Sequence, residues 1–129
     1  MIPSANWNVS AAPYVGWQSE TISVPTITFH FAGVANLSSV TLHYDDANGA
    51  GGVMTPLGFS FRKTGGPTLT QTVINTLASG VPNSTTLSWG AGLVGQTFTL
   101  DIIGSDRFVF ISEVAFVGAA VPLPAGLPM

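Results

Sequence analysis

Residues 107–118 read RFVFISEVAFVG, the longest apolar run in a chain of 129 residues. Taken as a strand of period two, Phe108, Phe110, Ser112, Val114 and Phe116 point to one side, and Val109, Ile111, Glu113, Ala115 and Val117 to the other. Both sides are mostly apolar, so the run belongs inside a sheet covered on both faces. Glu113 is its single carboxylate. Buried, ionised and unpartnered, it would cost on the order of several kcal/mol, so it calls for a cation, a donor cluster or a proton.

Outward from this run, the same alternation recurs. Residues 26–31 (TITFHF) set Ile27, Phe29 and Phe31 inward against Thr26, Thr28 and His30, and Pro25 suits the first position of a strand. Residues 39–45 (SVTLHYD) repeat the pattern with Val40, Leu42 and Tyr44 inward. These two stretches are expected side by side, joined by a turn around Gly33 and Asn36. Residues 46–56 (DANGAGGVMTP) are rich enough in glycine to be a loop. Then come residues 57–63 with Leu57, Phe59 and Phe61 inward, a turn at Gly65-Gly66-Pro67, a weaker strand over 68–76, and strands over 85–89 and 97–103. No stretch carries a helical period. Roughly seven short strands with turn chemistry between them predict an all-β fold, an antiparallel two-sheet β-sandwich.

Length places the chain in one domain, by a prior of about 100–200 residues per domain. Residues 1–16 are expected to be an ordered N-terminal loop region, 17–118 the β-sandwich, and 119–129 a Pro-rich tail or linker, because proline lacks the donor a central strand needs. Charged residues make up 7% of the chain, against a usual share of about a quarter. With Gly, Ser, Thr and Pro abundant, that composition fits an exported β-protein. Arg62, Lys63 and Arg107 are the only Lys or Arg residues and the net charge is −3, so no basic patch exists to hold nucleic acid. The absence of cysteine excludes disulfides, thiolate metal sites and a thiol nucleophile. No apolar run approaches the roughly 20 residues of a membrane-spanning helix, so no direct membrane insertion is expected.

Three stretches together resemble the discoidin, or coagulation-factor type C, branch of the galactose-binding-like jelly rolls. They are Val15-Gly16-Trp17 with residues 25–31 (PTITFHF), residues 37–44 (LSSVTLHY) with the Gly-rich loop and residues 56–61 (PLGFSF), and residues 110–116 (FISEVAF). The resemblance covers residues 15–118. It implies a non-catalytic binding module whose loops at one end take up glycans, and by position it gives Glu113 the role of ligand to a structural calcium. Calcium takes six to eight oxygens, which would answer the need of Glu113 for a partner. The family's acidic calcium loop belongs before Trp17, yet residues 1–16 hold no Asp or Glu, so either the chain begins inside the domain or the site is degenerate. After the domain, residues 121–125 (VPLPA) are similar to a variant of the PEP-CTERM sorting signal of exported proteins of Gram-negative bacteria. The apolar span and basic cluster that follow such a signal are missing, as in an excised ectodomain or processed product. A secreted or cell-surface location is the implication.

His43, Asp45, Asp46 and Asn48, at the mouth of the Gly-rich loop, are the candidate glycan-binding residues, set against a plain hydrated turn. Calcium is a further role open to the two aspartates. Trp17 and Trp89 are aromatic faces that could stack on a pyranose; Trp17 reads as packing, whereas Trp89 stays open between the two. His30 and His43 both fall on outward positions and read as solvent-facing, since two histidines without a third ligand make a weak metal site. Catalysis is not expected. Adjacent on a strand, Asp45 and Asp46 point apart and cannot act as paired carboxylates, and no serine sits in a nucleophile elbow. The competing class is structural: a self-associating subunit of a matrix or filament, whose edge strands carry few charges to prevent pairing.

Overall fold

The computed structural model describes residues 14–46, 52–66, 68–73, 82–104 and 107–122. As expected from the alternation, the protein is all-β. Six strands, β1 (Val15–Gln18), β2 (Thr26–Tyr44), β3 (Gly58–Lys63), β4 (Thr68–Val73), β5 (Asn83–Ile103) and β6 (Phe108–Ala120), form one ladder in the order β1-β6-β2-β5-β3-β4. Every pairing in it is antiparallel.

The expected turn around Gly33 and Asn36 is absent, and residues 26–31 and 39–45 lie on one continuous strand, β2, rather than side by side. The backbone explains why. Ala35, Asn36 and Leu37 face Gly95, Val94 and Leu93 on β5 and Ala120, Ala119 and Gly118 on β6, so ladders flank them on both sides. The stretches 85–89 and 97–103 are likewise fused, into β5. His30 and His43 are consequently not neighbours: His30 stands opposite Thr97, with its Nδ1 3.2 Å from the threonine hydroxyl, and His43 opposite Ser84 and Glu113.

Both long strands bend where their register slips. Between His30 and Ala35, residues 31–34 of β2 face Gln96 alone, whose amide donates to the carbonyls of Phe31 (3.0 Å) and Ala32 (3.5 Å). Between Leu37 and Ser39, residues 89–92 of β5 face Ser38 alone, and the Trp89 indole N–H donates to the Leu37 carbonyl at 2.9 Å. At each slip a side chain thus supplies a donor beside the broken ladder. The slips also reset the phase. Inward residues are odd-numbered before the bend (Ile27, Phe29, Phe31, Leu37) and even-numbered after it (Val40, Leu42, Tyr44). A bulge does the same in β6, where Tyr44 faces Ile111 and His43 faces Glu113, leaving Ser112 as the extra residue. Strict alternation through residues 107–118 therefore fails at Ser112: Val109 and Ile111 point inward before it, Val114 and Phe116 after it.

Bending brings the two ends of the ladder face to face. The second half of β2 pairs with β6 and with residues 83–95, while its first half pairs with residues 97–101, of which 98–101 also pair with β3. Across the space between, Phe61 of β3 stacks on Trp89 (5.8 Å, 18°), in the half of β5 that does not pair with β3, and lies against Phe116 (5.8 Å) of β6, which does not pair with β3 at all. Phe98 stacks on the same ring (5.6 Å, 9°), and Phe29 meets Phe116 edge-on at 5.0 Å. Phe59 and Phe61 are fully buried as expected, whereas Leu57 is 46% exposed because it precedes the strand, its N–H bonded to the Ile103 carbonyl. β1 starts at Val15, inside the region expected as loop, and β6 runs on to Ala120.

Phe61→Ala would empty the centre of this stack and is expected to cost about 3–5 kcal/mol in chemical unfolding. Gly118 sits where β6 crosses the bend, and a Cβ there would lie 2.9 Å from Leu37 Cα and against the Asn36 carbonyl oxygen. Because the obstruction is backbone, Gly118→Ala is expected to lower stability by about 1–3 kcal/mol in the same measurement.

Candidate functional site

At the end of β2 the chain passes through Asp45 and Asp46 into the Gly-rich stretch. It returns with Val53 bridged to Phe108 and the Met54 N–H bonded to the Phe108 carbonyl. Val53 and Thr55 of the returning segment are buried, and Asp45 and Asp46 are both 0% exposed. Asp45 is pinned by its N–H to the Phe110 carbonyl at 2.9 Å. A buried carboxylate persists where protein groups engage it, and both aspartates are so engaged. Two of their neighbours are tyrosines. Burial, with the charge of Asp45 adding to it, pushes the Tyr14 hydroxyl up to about 12. Burial also raises Tyr44, opposed by its hydrogen bond to Thr85 (2.8 Å) and reinforced by Asp46.

The expected glycan-binding set is therefore placed as follows. His43, Asp45 and Asp46 share the strand end, with the carboxylates turned into the protein, and Asn48 lies outside the described residues. Trp89 is not with them. It sits beside Leu37, and the stretch of β2 from Leu37 to Asp45 spans about 25 Å at roughly 3.3 Å per residue. Its ring lies against Phe61 and its N–H is committed to a carbonyl, so it belongs to the core.

Glu113 leads to a different place. At the Ser112 bulge, β6 lies between β1 and the second half of β2, while the first half of β2 has left it to pair with β5. Between β1, β6 and that departing half opens a slot of about 350 Å³. Trp17 and Phe29 give it aromatic walls, Ile27 and Val114 aliphatic ones, and Ser112 and Glu113 its polar side. Val15, 60% exposed, stands at its mouth. An apolar cleft with a few convergent polar groups is the ordinary form of a small-ligand site. A second cavity, of about 280 Å³, lies by the bend between Phe31, Val34 and Phe116, and its lining has no polar side chain to orient a ligand.

Among the described residues, side chains alone do not make a calcium site of the slot. Beside Glu113, the only other side-chain oxygen that the described residues give its lining is that of Ser112, whose hydroxyl donates to the His43 carbonyl at 3.4 Å. Among the described residues no group of three or more His, Asp or Glu side chains comes together. Trp17 and Glu113 were each visible in the sequence, but their shared slot was not, since its lining comes from three strands distant in sequence. No protein-family model matches the chain, and a search of curated proteins finds no match.

Folding raises Tyr14 and Tyr44 above the ordinary 10.0, so the unfolded chain surrenders those protons first. Between about pH 10 and 12 it binds fewer protons than the folded chain, and stability falls as pH rises; below pH 10 neither group contributes. Denaturant midpoints measured across this range are expected to decline, and Tyr14→Phe to make the decline shallower.

Proposed function

We propose that this chain is a non-catalytic binding module for carbohydrate, acting on an extracellular or cell-surface polysaccharide. The observation that carries this reading is the slot, whose lining brings Trp17 and Phe29 together with Glu113 and Ser112. A pyranose has apolar CH faces that pack on aromatic rings and a rim of hydroxyls that donate to carboxylates. Support for a non-catalytic role comes from Ser112, whose hydroxyl goes to the main chain of His43, and from the burial of Asp45 and Asp46.

The architecture we assign is a galactose-binding-like jelly roll, a sandwich whose two sheets share β2 and β5. Strands that switch sheets at bulges make the corners of such sandwiches, and the ring contacts of Phe61 with Trp89 and Phe116 support it. Export to the cell surface is supported by the low charge and by the VPLPA stretch at 121–125.

A second reading, a self-associating matrix or filament subunit, is favoured by one feature. Among the described residues, 26–30 pair on one side only, with β5, and they carry no Lys, Arg, Asp or Glu. Such an edge is poorly guarded against pairing with another copy.

Titration with neutral and charged oligosaccharides, followed by tryptophan fluorescence, tests the first reading. A saturable change is expected with at least one of them, and Trp17→Phe should weaken that binding by about tenfold, the worth of roughly 1.4 kcal/mol of ring contact. If no oligosaccharide perturbs the emission, and light scattering grows with protein concentration, the assembly reading replaces it.

A further inference from the structure

The hydrogen-bond directions along the first half of β2 define an edge. The Ile102 N–H donates to the Pro25 carbonyl at 2.9 Å and Thr26 stands opposite Asp101, so Pro25, Ile27 and Phe29 are the residues whose main-chain groups face β5. The amides and carbonyls of Thr26, Thr28 and His30 point the other way, where among the described residues no strand pairs with them. A charge, a proline or a bulge ordinarily guards such an edge. Here residues 21–31 hold no Lys, Arg, Asp or Glu, the register is unbroken from Thr26 to His30, and the nitrogen of Pro25 faces β5. The edge is also stiff. Thr26 Oγ1 donates to Asp101 Oδ1 at 2.8 Å, His30 Nδ1 lies 3.2 Å from the Thr97 hydroxyl, and Ile27 and Phe29 pack against the core. Pairing there costs little further ordering. The edge of β1 offers less. The Ser19 N–H donates to the Arg107 carbonyl, so Gly16 and Gln18 face away from β6, and the Gln18 carbonyl already accepts from Thr21 and Ile22.

We infer that residues 26–30 pair with the same residues of a second copy, antiparallel about a twofold axis through Thr28; this deepens the assembly reading above and gives it a closed form. The occupant follows from self-complementarity. In the register centred on Thr28, which pairs all three outward-facing amides, Thr26 lies opposite His30 of the second copy, Thr28 opposite its own counterpart, and Ile27 opposite Phe29 of the second copy. Polar residues meet polar on the outer face and apolar meet apolar on the inner one. Each hydrogen-bonded pair exchanges two N–H···O bonds, about six across the axis, and each Ile–Phe pair adds an aromatic contact to a β-branched side chain. No charge opposes a like charge at the joint, although the chain carries −3 overall. Apolar side chains border it: Val24, 46% exposed, precedes the strand, and Val15, 60% exposed, shares the slot with Ile27 and Phe29. Because both copies use the same patch, forming the contact consumes the edge and growth stops at two. The two slots then lie on either side of the axis.

Sedimentation velocity on the whole chain tests this. A reversible dimer is expected, its share rising between about 10 μM and 1 mM as suits a small interface, with no larger species. Thr28→Lys sets two ammonium groups opposite each other and is expected to weaken the dimer by about tenfold, as is Thr28→Glu. Mixing the two variants should restore it, because residue 28 meets itself only across the axis. Thr28 is exposed, so both variants are expected to fold; if either does not, Thr28→Pro, which deletes an amide that β5 does not use, should give a folded monomer. A chain that stays monomeric to about 1 mM overturns the pairing and the assembly reading together, and leaves carbohydrate binding to its own titration. Species that grow past the dimer overturn the closed form while assembly stands. A dimer that survives Thr28→Lys or Thr28→Pro, or folded variants that fail to complement on mixing, overturns this edge and places self-association elsewhere.

Discussion

The ring of Phe61 lies between Trp89, Phe98 and Phe116, and the rest of the structure depends on those contacts being reachable from one folded sheet. A flat ladder of six strands could not bring β3 against β6 or against the first half of β5. The contacts exist because β2 and β5 bend together. The bend is tolerable because Gln96 and Trp89 supply donors to main-chain carbonyls beside the slipped pairings. Trp89 serves twice, holding the corner with its N–H and filling the core with its ring. Packing and polar satisfaction are thus met by the same residues, and this links the hydrophobic centre to the course of the backbone.

The bend has a cost in strand pairing that shows at the margin. Among the described residues the first half of β2 pairs with β5 but not with β6, and its Ile27 and Phe29 line the slot together with Trp17 of β1 and residues 111–114 of β6. The Ser112 bulge lies on the β6 side of that space and resets which residues face it. Without the extra residue, Val114 and Phe116 would turn outward and Glu113 inward. The carboxylate that looked like an awkward charge in a buried strand is instead half-buried at the edge of a cleft. The aspartates that looked like surface ligands are fully buried, and their charges add to the burial that raises two tyrosine hydroxyls.

Much of the fold was legible in the sequence. Alternation placed Ile27, Phe29, Val40, Leu42, Phe59, Phe61, Phe98, Leu100 and Ile102 on inward positions, and the structure keeps them there. The continuity of β2 through Gly33 and Asn36 was not legible, because residues of turn type are also what a bend in a strand uses, and only pairing on both sides separates the cases. Of the candidate site, Glu113 and Trp17 stood out as residues, but Phe29 as a wall did not. Nothing local marks a core-facing phenylalanine as the one beside an opening.

What the sequence determined by itself was set by local periodicity: an all-β chain, the inward set within each strand segment, the glycine-rich return after Asp46, and the absence of thiol chemistry or a basic surface. What the tertiary structure alone decided was the joining of segments into bent strands, the reset of phase at Leu37–Ser39 and at Ser112, the burial of Asp45 and Asp46, and the slot shared by Trp17, Phe29 and Glu113. The physical reason is range. Alternation is written into neighbouring residues, whereas a bulge or a cleft depends on which distant strand offers its hydrogen bonds to which edge, and that is settled only when the whole ladder closes on its aromatic core.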